Sequence, residues 1–416
     1  MVLEDPRTPA AAGRLADRLA IGLLTWAFPR EQVDRVLEQT GRTQIRTRLL
    51  PARVVLYFVL TLCMFPELNY ERVAELLSQG MRWGLGRPTA CPSPTAAALS
   101  QARLRLGPEP LRALFAETGA AVLAGARDGA EGSGLRVLAL DFARFAVPDS
   151  EENLARFGGA CADRAAGCPE FADGGVPQVQ VLAMAHQDSR TIVGAEVGSV
   201  GEGRLALARP LLRTLRRGDL LLAELTTVDA RSWCIARQHG AELLWSVPPT
   251  TQLPQHAVLS DGSYRSVLDG GGWCASGDDA LAVPVRVVDR VVDGTRVQLI
   301  TSLLSPKSAP AARLIDLYTA RWRFSDALGE LDPGHGLGQR ALRARSVWGV
   351  EQEVWGHLLV HQAISALLRP DAVVLRAHGR AFEPVGAADP RQPASAPTGS
   401  AVVARPRRAR SVRQVS

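Results

Sequence analysis

The sequence predicts an α/β protein: an all-helical N-terminal domain, then a mixed sheet with helices, with a β-rich insertion set into the sheet unit. Three observations carry this. Residues 10–130 repeat apolar positions at three-to-four spacing. From Arg136 onward apolar strand-like runs alternate with helical segments. Between 245 and 305 Asp-Gly pairs separate alternating runs, the pattern of hairpin turns.

In chain order, AGRLADRLAIGLLTWAF, REQVDRVLEQTG, PARVVLYFVLTLCMF and NYERVAELLSQGMRW read as helices. Asn69 is an expected N-cap, with Glu71 in the first turn behind it. Val54–Met64 is the longest apolar run and is too short to span a bilayer, so it reads as a buried helix. Ser93 or Thr95 begins a helix ending near Leu106–Gly107, and Pro108 and Pro110 restart the chain into another. Two helices around a Gly/Pro turn, the first carrying Gln101, Arg103 and Arg105, have the outline of a helix-turn-helix. The plainer reading is a helical pair with a solvated arginine face.

LRVLALDFARFAVPDS is a buried strand with Asp141 near its end, then a short strand and a turn at Pro148. PQVQVLAMAHQDSRTIVGAEVGSV reads as two adjacent strands, and EGRLALARPLLRTLRRG as a helix closed by Gly218. DLLLAELTT is a strand ending at Glu224, followed by the helix VDARSWCIARQHG and the strand AELLWSV. After the insertion, helices resume at APAARLIDLYTARWRFSDALGELD and EQEVWGHLLVHQAISALL. The expected units are thus 10–130, 131–244 with 306–370, the insertion 245–305, and an Ala/Pro/Arg-rich tail 371–416. Residues 391–416 hold six arginines and no acid, the composition of a disordered basic tail.

A length of 416 residues fits two or three packed units, and 46% apolar with 22% charged residues is ordinary for a soluble protein. The net charge is +6, and Lys307 is the only lysine. Arginine's planar fork suits phosphate oxygens, so nucleic acid is a reasonable partner, although a GC-rich genome gives the same bias. Cys63, Cys91, Cys161, Cys168, Cys234 and Cys274 are scattered, with neither metal-ligand spacing nor a disulfide scaffold. Reduced thiols, a cytoplasmic location and no membrane partner are therefore expected, and Glu4 and Asp5 stand where an export signal would be basic.

Three carboxylates from separate elements are how a protein holds two divalent ions for phosphodiester chemistry, one ion preparing the nucleophile and the other the leaving oxygen. Asp141 and Glu224 each close an apolar strand and are the first two candidates. Periodicity alone leaves the third position open, on the YTARWRFSDALGELD segment.

The chain resembles the IS4 family of transposases. The resemblance runs from about Leu15 to Leu368, through LLPARVVLYFVLTLCMFPELNYERVAELL, PSPTAAALSQARLRLGPEPLRALF, VPDSEENLARFG, GDLLLAE, GAELLWSV and EVWGHLLVHQAI. It implies a ribonuclease-H-like DDE domain behind a helical N-terminal domain, with a β-rich insertion between the second and third catalytic positions. It also implies double-stranded DNA as partner, Mg²⁺ or Mn²⁺ as cofactor if the activity has descended intact, and a homodimer on paired DNA ends.

The catalytic motifs depart from the family. Where the family has Asp-Gly-Thr, this chain has Asp141, Phe142 and Ala143, and where it has Asp-Arg-Gly-Phe this chain has Glu224, Leu225, Thr226 and Thr227. The third motif joins a tyrosine, an arginine, a glutamate and a lysine on one helix; the matching residues are Tyr318, Arg321, Ser325 and Asp332. Steps of three and four place Tyr318, Arg321 and Ser325 on one helical face, with Asp326 turned about 100° away. Asp141 and Glu224 would hold a weakened metal site, Tyr318 and Arg321 would contact phosphate or substrate, and Phe142, Thr226 and Asp332 would line an altered pocket.

Three functional readings follow. One is a transposase still active with an unexpected third ligand. The second is a DNA-binding protein impaired in strand cleavage and transfer, such as a domesticated regulator. The third is a fold repurposed as a non-nuclease enzyme on a small molecule, with paired acids beside an aromatic ring.

Overall fold

The computed structural model describes residues 21–43, 50–85, 94–125, 134–158, 177–224, 230–248, 250–268, 283–321 and 342–368. The tail 371–416 lies outside them, as do Thr226, Ser325, Asp326 and Asp332.

The N-terminal helices are α1 (Arg30–Gln39), α2 (Ala52–Met64), α3 (Tyr70–Leu85), α4 (Ala96–Leu106) and α5 (Glu109–Gly125). The apolar run of α2 is buried on every side, from Val55 through Cys63, as its all-round hydrophobicity requires. Asn69 caps α3 by accepting the Arg72 amide at 2.9 Å. Thr95 caps α4 by accepting the Ala98 amide at 3.3 Å, and Gly107 ends that helix with φ of 69°.

Next in the chain come β1 (Arg136–Ala146), α6 (Glu151–Phe157), β2 (Gln178–His186), β3 (Thr191–Ser199) and α7 (Arg204–Leu212). They are followed by β4 (Asp219–Glu224), α8 (Ala230–Gln238) and β5 (Glu242–Val247). The remaining elements are β6 (Ala257–Val258), β7 (Tyr264–Leu268), β8 (Val283–Val292), β9 (Thr295–Thr301), α9 (Ala311–Thr319) and α10 (Val347–Leu368).

All the described strands join one sheet in the order β3-β2-β1-β4-β5-β9-β8-β7-β6. β1 to β3 form an antiparallel meander, whereas β4 runs parallel to β1 and β5 parallel to β4. The expected short second strand before Pro148 does not form, because β1 continues unbroken to Ala146 along β2. The β-rich insertion is not a separate module: β9 pairs with β5 through Leu244–Thr301, so the inserted strands widen the same sheet. One of its Asp-Gly pairs turns β8 into β9, with Asp293 at φ 48° and Gly294 at φ 78°, both left-handed as a tight two-residue hairpin demands.

Alternation along the strands divides the core. One face carries Leu138, Leu140, Leu182, Met184 and Trp245, packed under α7 and α8 with Trp233 of α8 among them. The other face carries two clusters. Toward β2 and β3, Phe145, Val181, Ala183 and Ile192 meet the N-terminal helices and α10. Toward β4, β5 and β9, Ala139, Leu222, Leu244 and Leu299 meet Leu314 and Ile315 of α9. The helical region thus shares a core with the sheet, and Gly119 shows how closely: a Cβ there would collide with the Val193 carbonyl of β3.

Among the described residues no helix is long and apolar enough to cross a membrane. Cys63 is a free buried thiol.

Candidate catalytic site

The first two sequence candidates lie on neighbouring strands. β1 and β4 are paired in parallel register through Ala139–Leu222, and continuing that register by two residues puts Asp141 level with Glu224 and on the same face. Glu224 is in turn paired with Ser246 of β5. Asp141, Glu224 and Ser246 therefore form a row across three adjacent strands, where strand spacing is about 4.8 Å. The row falls in the seam between the two core clusters on that face, which leaves Asp141 and Glu224 partly exposed.

The segment after the insertion closes one side of the row. Tyr318, in the last turn of α9, donates its hydroxyl to Ser246 Oγ at 2.6 Å. Arg321 is not on the helix, which ends at Thr319; its amide instead bonds the Tyr318 carbonyl at 3.2 Å in the following turn. Its guanidinium lies 4.4 Å from the Tyr318 ring centroid, donates Nη1 to the Tyr318 hydroxyl and Nη2 to Glu224 Oε1. The Arg321 side chain is 4% exposed and that of Glu224 is 39% exposed.

The electrostatics follow from this burial. Burial pushes the Tyr318 hydroxyl above its ordinary pKa, against the pull of Arg321 and Ser246. Burial works against the charge on Arg321, yet Tyr318 and Glu224 outweigh it and hold the guanidinium above its usual range. The site is a neutralised pair at the end of a carboxylate row.

Such a row fits two divalent ions poorly. Ions of this kind need carboxylate oxygens turned into a shared gap. Here Glu224 Oε1 holds a guanidinium, and Asp141 Oδ1 accepts the Phe142 amide at 2.9 Å. Among the described residues no group of three or more His, Cys, Asp or Glu stands where it could hold a metal ion.

Two expectations need correction. Phe142 does not line a pocket with Asp141: alternation turns it to the opposite face, against the α7–α8 cluster and 4.1 Å from the Arg204 guanidinium. Arg103 does not face solvent on α4. It is 5% exposed and donates Nε to Gln352 Oε1 at 3.0 Å, Nη2 to the Gly349 carbonyl and Glu353 Oε1, both at 3.3 Å, and Nη1 to Tyr70. Gln101 and Arg105 lie on the exposed side of the same helix. Ser246 is the residue that sequence reasoning missed; its signal was a hydroxyl in step with Leu244 near the end of an apolar strand.

Residues 18–116 match the family described as Insertion element 4 transposase N-terminal. Over 364 residues the chain is 25% identical to the transposase InsG for insertion sequence element IS4 of Escherichia coli (strain K12), covering 85% of this chain and 77% of that protein. The chain is similar to the IS4 family transposases. That similarity reaches well past the N-terminal region. Among solved structures, the piggyBac transposase synaptic complex with hairpin DNA aligns with 88% of this chain and 77% of its own, at 10% identity and a TM-score of 0.40.

Proposed function

We propose that this IS4 relative binds duplex DNA on a ribonuclease-H-like scaffold and is impaired in metal-dependent strand cleavage and transfer. The antiparallel meander β3-β2-β1 extended by the parallel strands β4 and β5 supports that scaffold, because it brings Asp141 and Glu224 to one level. The observation that carries the impairment is the Arg321–Glu224 pair, which spends one of two acidic positions on an internal cation. Ser325, where the family has its third acid, points the same way. DNA binding is supported by the family relationship, a net charge of +6 carried by arginine, and the outward placement of Gln101 and Arg105.

Fluorescence anisotropy with a labelled duplex, titrated across salt, tests the binding. Affinity should fall steeply as salt rises, through release of counterions from the phosphates. Absence of salt-sensitive duplex binding would overturn the reading.

A further inference from the structure

We propose that Arg321 is a resident counter-cation that takes the place of a divalent ion at Glu224, so that the acid row is held in a metal-independent state. The inference rests on reading that row as the former catalytic centre. It also goes beyond loss of a ligand: it assigns the metal-independent state to Arg321.

Four constraints hold the guanidinium in place. The turn after α9 fixes its backbone through the Tyr318 carbonyl at 3.2 Å. The Tyr318 ring supports its face at 4.4 Å, the Tyr318 hydroxyl accepts one amino group, and Glu224 accepts another. Tyr318 is itself tied to β5 by its bond to Ser246 at 2.6 Å, so the arginine rests on a fixed support. A guanidinium matches one carboxylate with directed hydrogen bonds, in addition to its charge.

A divalent ion entering between Asp141 and Glu224 would have to expel this group. Arg321, with its side chain 4% exposed, would then lose its carboxylate inside the protein, where an uncompensated buried charge is strongly disfavoured. Two carboxylates level on neighbouring strands would otherwise attract a hard cation through oxygen ligands. The arginine and the ion compete for Glu224 Oε1.

Mn²⁺ binding, read as loss of the free-ion electron paramagnetic resonance signal, tests this on the full chain. The proteins compared are the native chain, Arg321→Gln, Arg321→Lys and the double variant Arg321→Gln with Glu224→Gln. Circular dichroism confirms that each is folded, and any variant that fails is replaced by Arg321→Met. The expected result is weak Mn²⁺ binding by the native chain and by Arg321→Lys, which keeps the positive charge. Arg321→Gln should bind about tenfold tighter or more, given the coupling typical of close charge pairs, and the double variant should lose that gain. Equal binding by native and Arg321→Gln proteins, a gain that survives Glu224→Gln, or an equal gain in Arg321→Lys would each overturn the proposal. The duplex titration is run on the same preparations. Failure of the Mn²⁺ pattern with duplex binding intact removes this inference alone, whereas absence of native duplex binding removes the reading beneath it.

Discussion

Two arginines of this chain are buried against glutamates, and they end in different surroundings. Arg103 and Glu353 have side chains 6% and 5% exposed. Every direction around them is answered: Gln352, Tyr70 and the Gly349 carbonyl take the guanidinium, while Glu353 Oε2 accepts the amides of Arg343 at 2.8 Å and Ala344 at 3.2 Å. That pair joins α4 to α10 and is architecture. Arg321 is buried as deeply, but Glu224 is 39% exposed and shares its row with Asp141. A buried ion pair satisfied on both sides serves the fold, whereas one whose acid opens onto a seam beside a second acid keeps the outline of a site. The surrounding geometry separates the two, since the residue types are the same.

The sharpest way to break the comparison is Arg103→Ala. Removing one partner of a fully buried pair should cost about 3–5 kcal/mol, because Glu353 is left charged in the interior. Denaturant unfolding should show that loss, and a near-neutral result would place Arg103 outside the architecture. Gly119→Ala should cost about 1–3 kcal/mol by forcing α5 off the Val193 carbonyl, read from the same melts.

Asp261 offers a pH test within the inserted strands. Desolvation works to raise its pKa, but the Ser263 hydroxyl, the amides of Ala311 and Ser263, and Arg286 outweigh it and hold the carboxyl down to about 2. A depressed folded value means that this acid stabilises the protein above its unfolded pKa of about 3.9 and loses that contribution as pH falls toward 2. Asp261→Asn should therefore lower the melting temperature at neutral pH, with the gap to the native chain closing below about pH 4. A gap independent of pH would show that shape, and not charge, matters there.

Smaller effects sharpen the seam itself. Tyr318→Phe should cost about 1 kcal/mol through loss of the bond to Ser246. Arg105→Ala should leave stability unchanged and reduce the salt slope of duplex binding by about 1 if Arg105 touches a phosphate. An unchanged slope would remove α4 from the DNA contact.

Much of the fold was legible in the sequence, since helices and strands follow from apolar period and turn chemistry. Thr95 and Asn69 as caps, the buried helix at Ala52–Met64 and the hairpin at Asp293–Gly294 all come from local rules. The insertion's junction with β5 was not legible, because which strand edge a hairpin joins depends on contacts distant in sequence. The same limit applies to Arg103. Leu99, Ala102 and Leu106 are buried beside it on the same helix face, but the polar partners that take its charge lie on α10, some 250 residues later, and on Tyr70. Asp141 and Glu224 were readable as acids near strand ends, and their shared level came from the parallel register. The helix expected to continue through Arg321 stops at Thr319, and the arginine reaches Glu224 from the turn instead.

The most direct test of the central claim is nicking of supercoiled plasmid by the purified chain in Mg²⁺ and then Mn²⁺, with Asp141→Ala and Glu224→Ala alongside. The expected result is duplex binding with no nicking above the two variants in either metal. Metal-dependent nicking by the native chain that disappears in both variants would contradict the account and restore the row as a working catalytic centre.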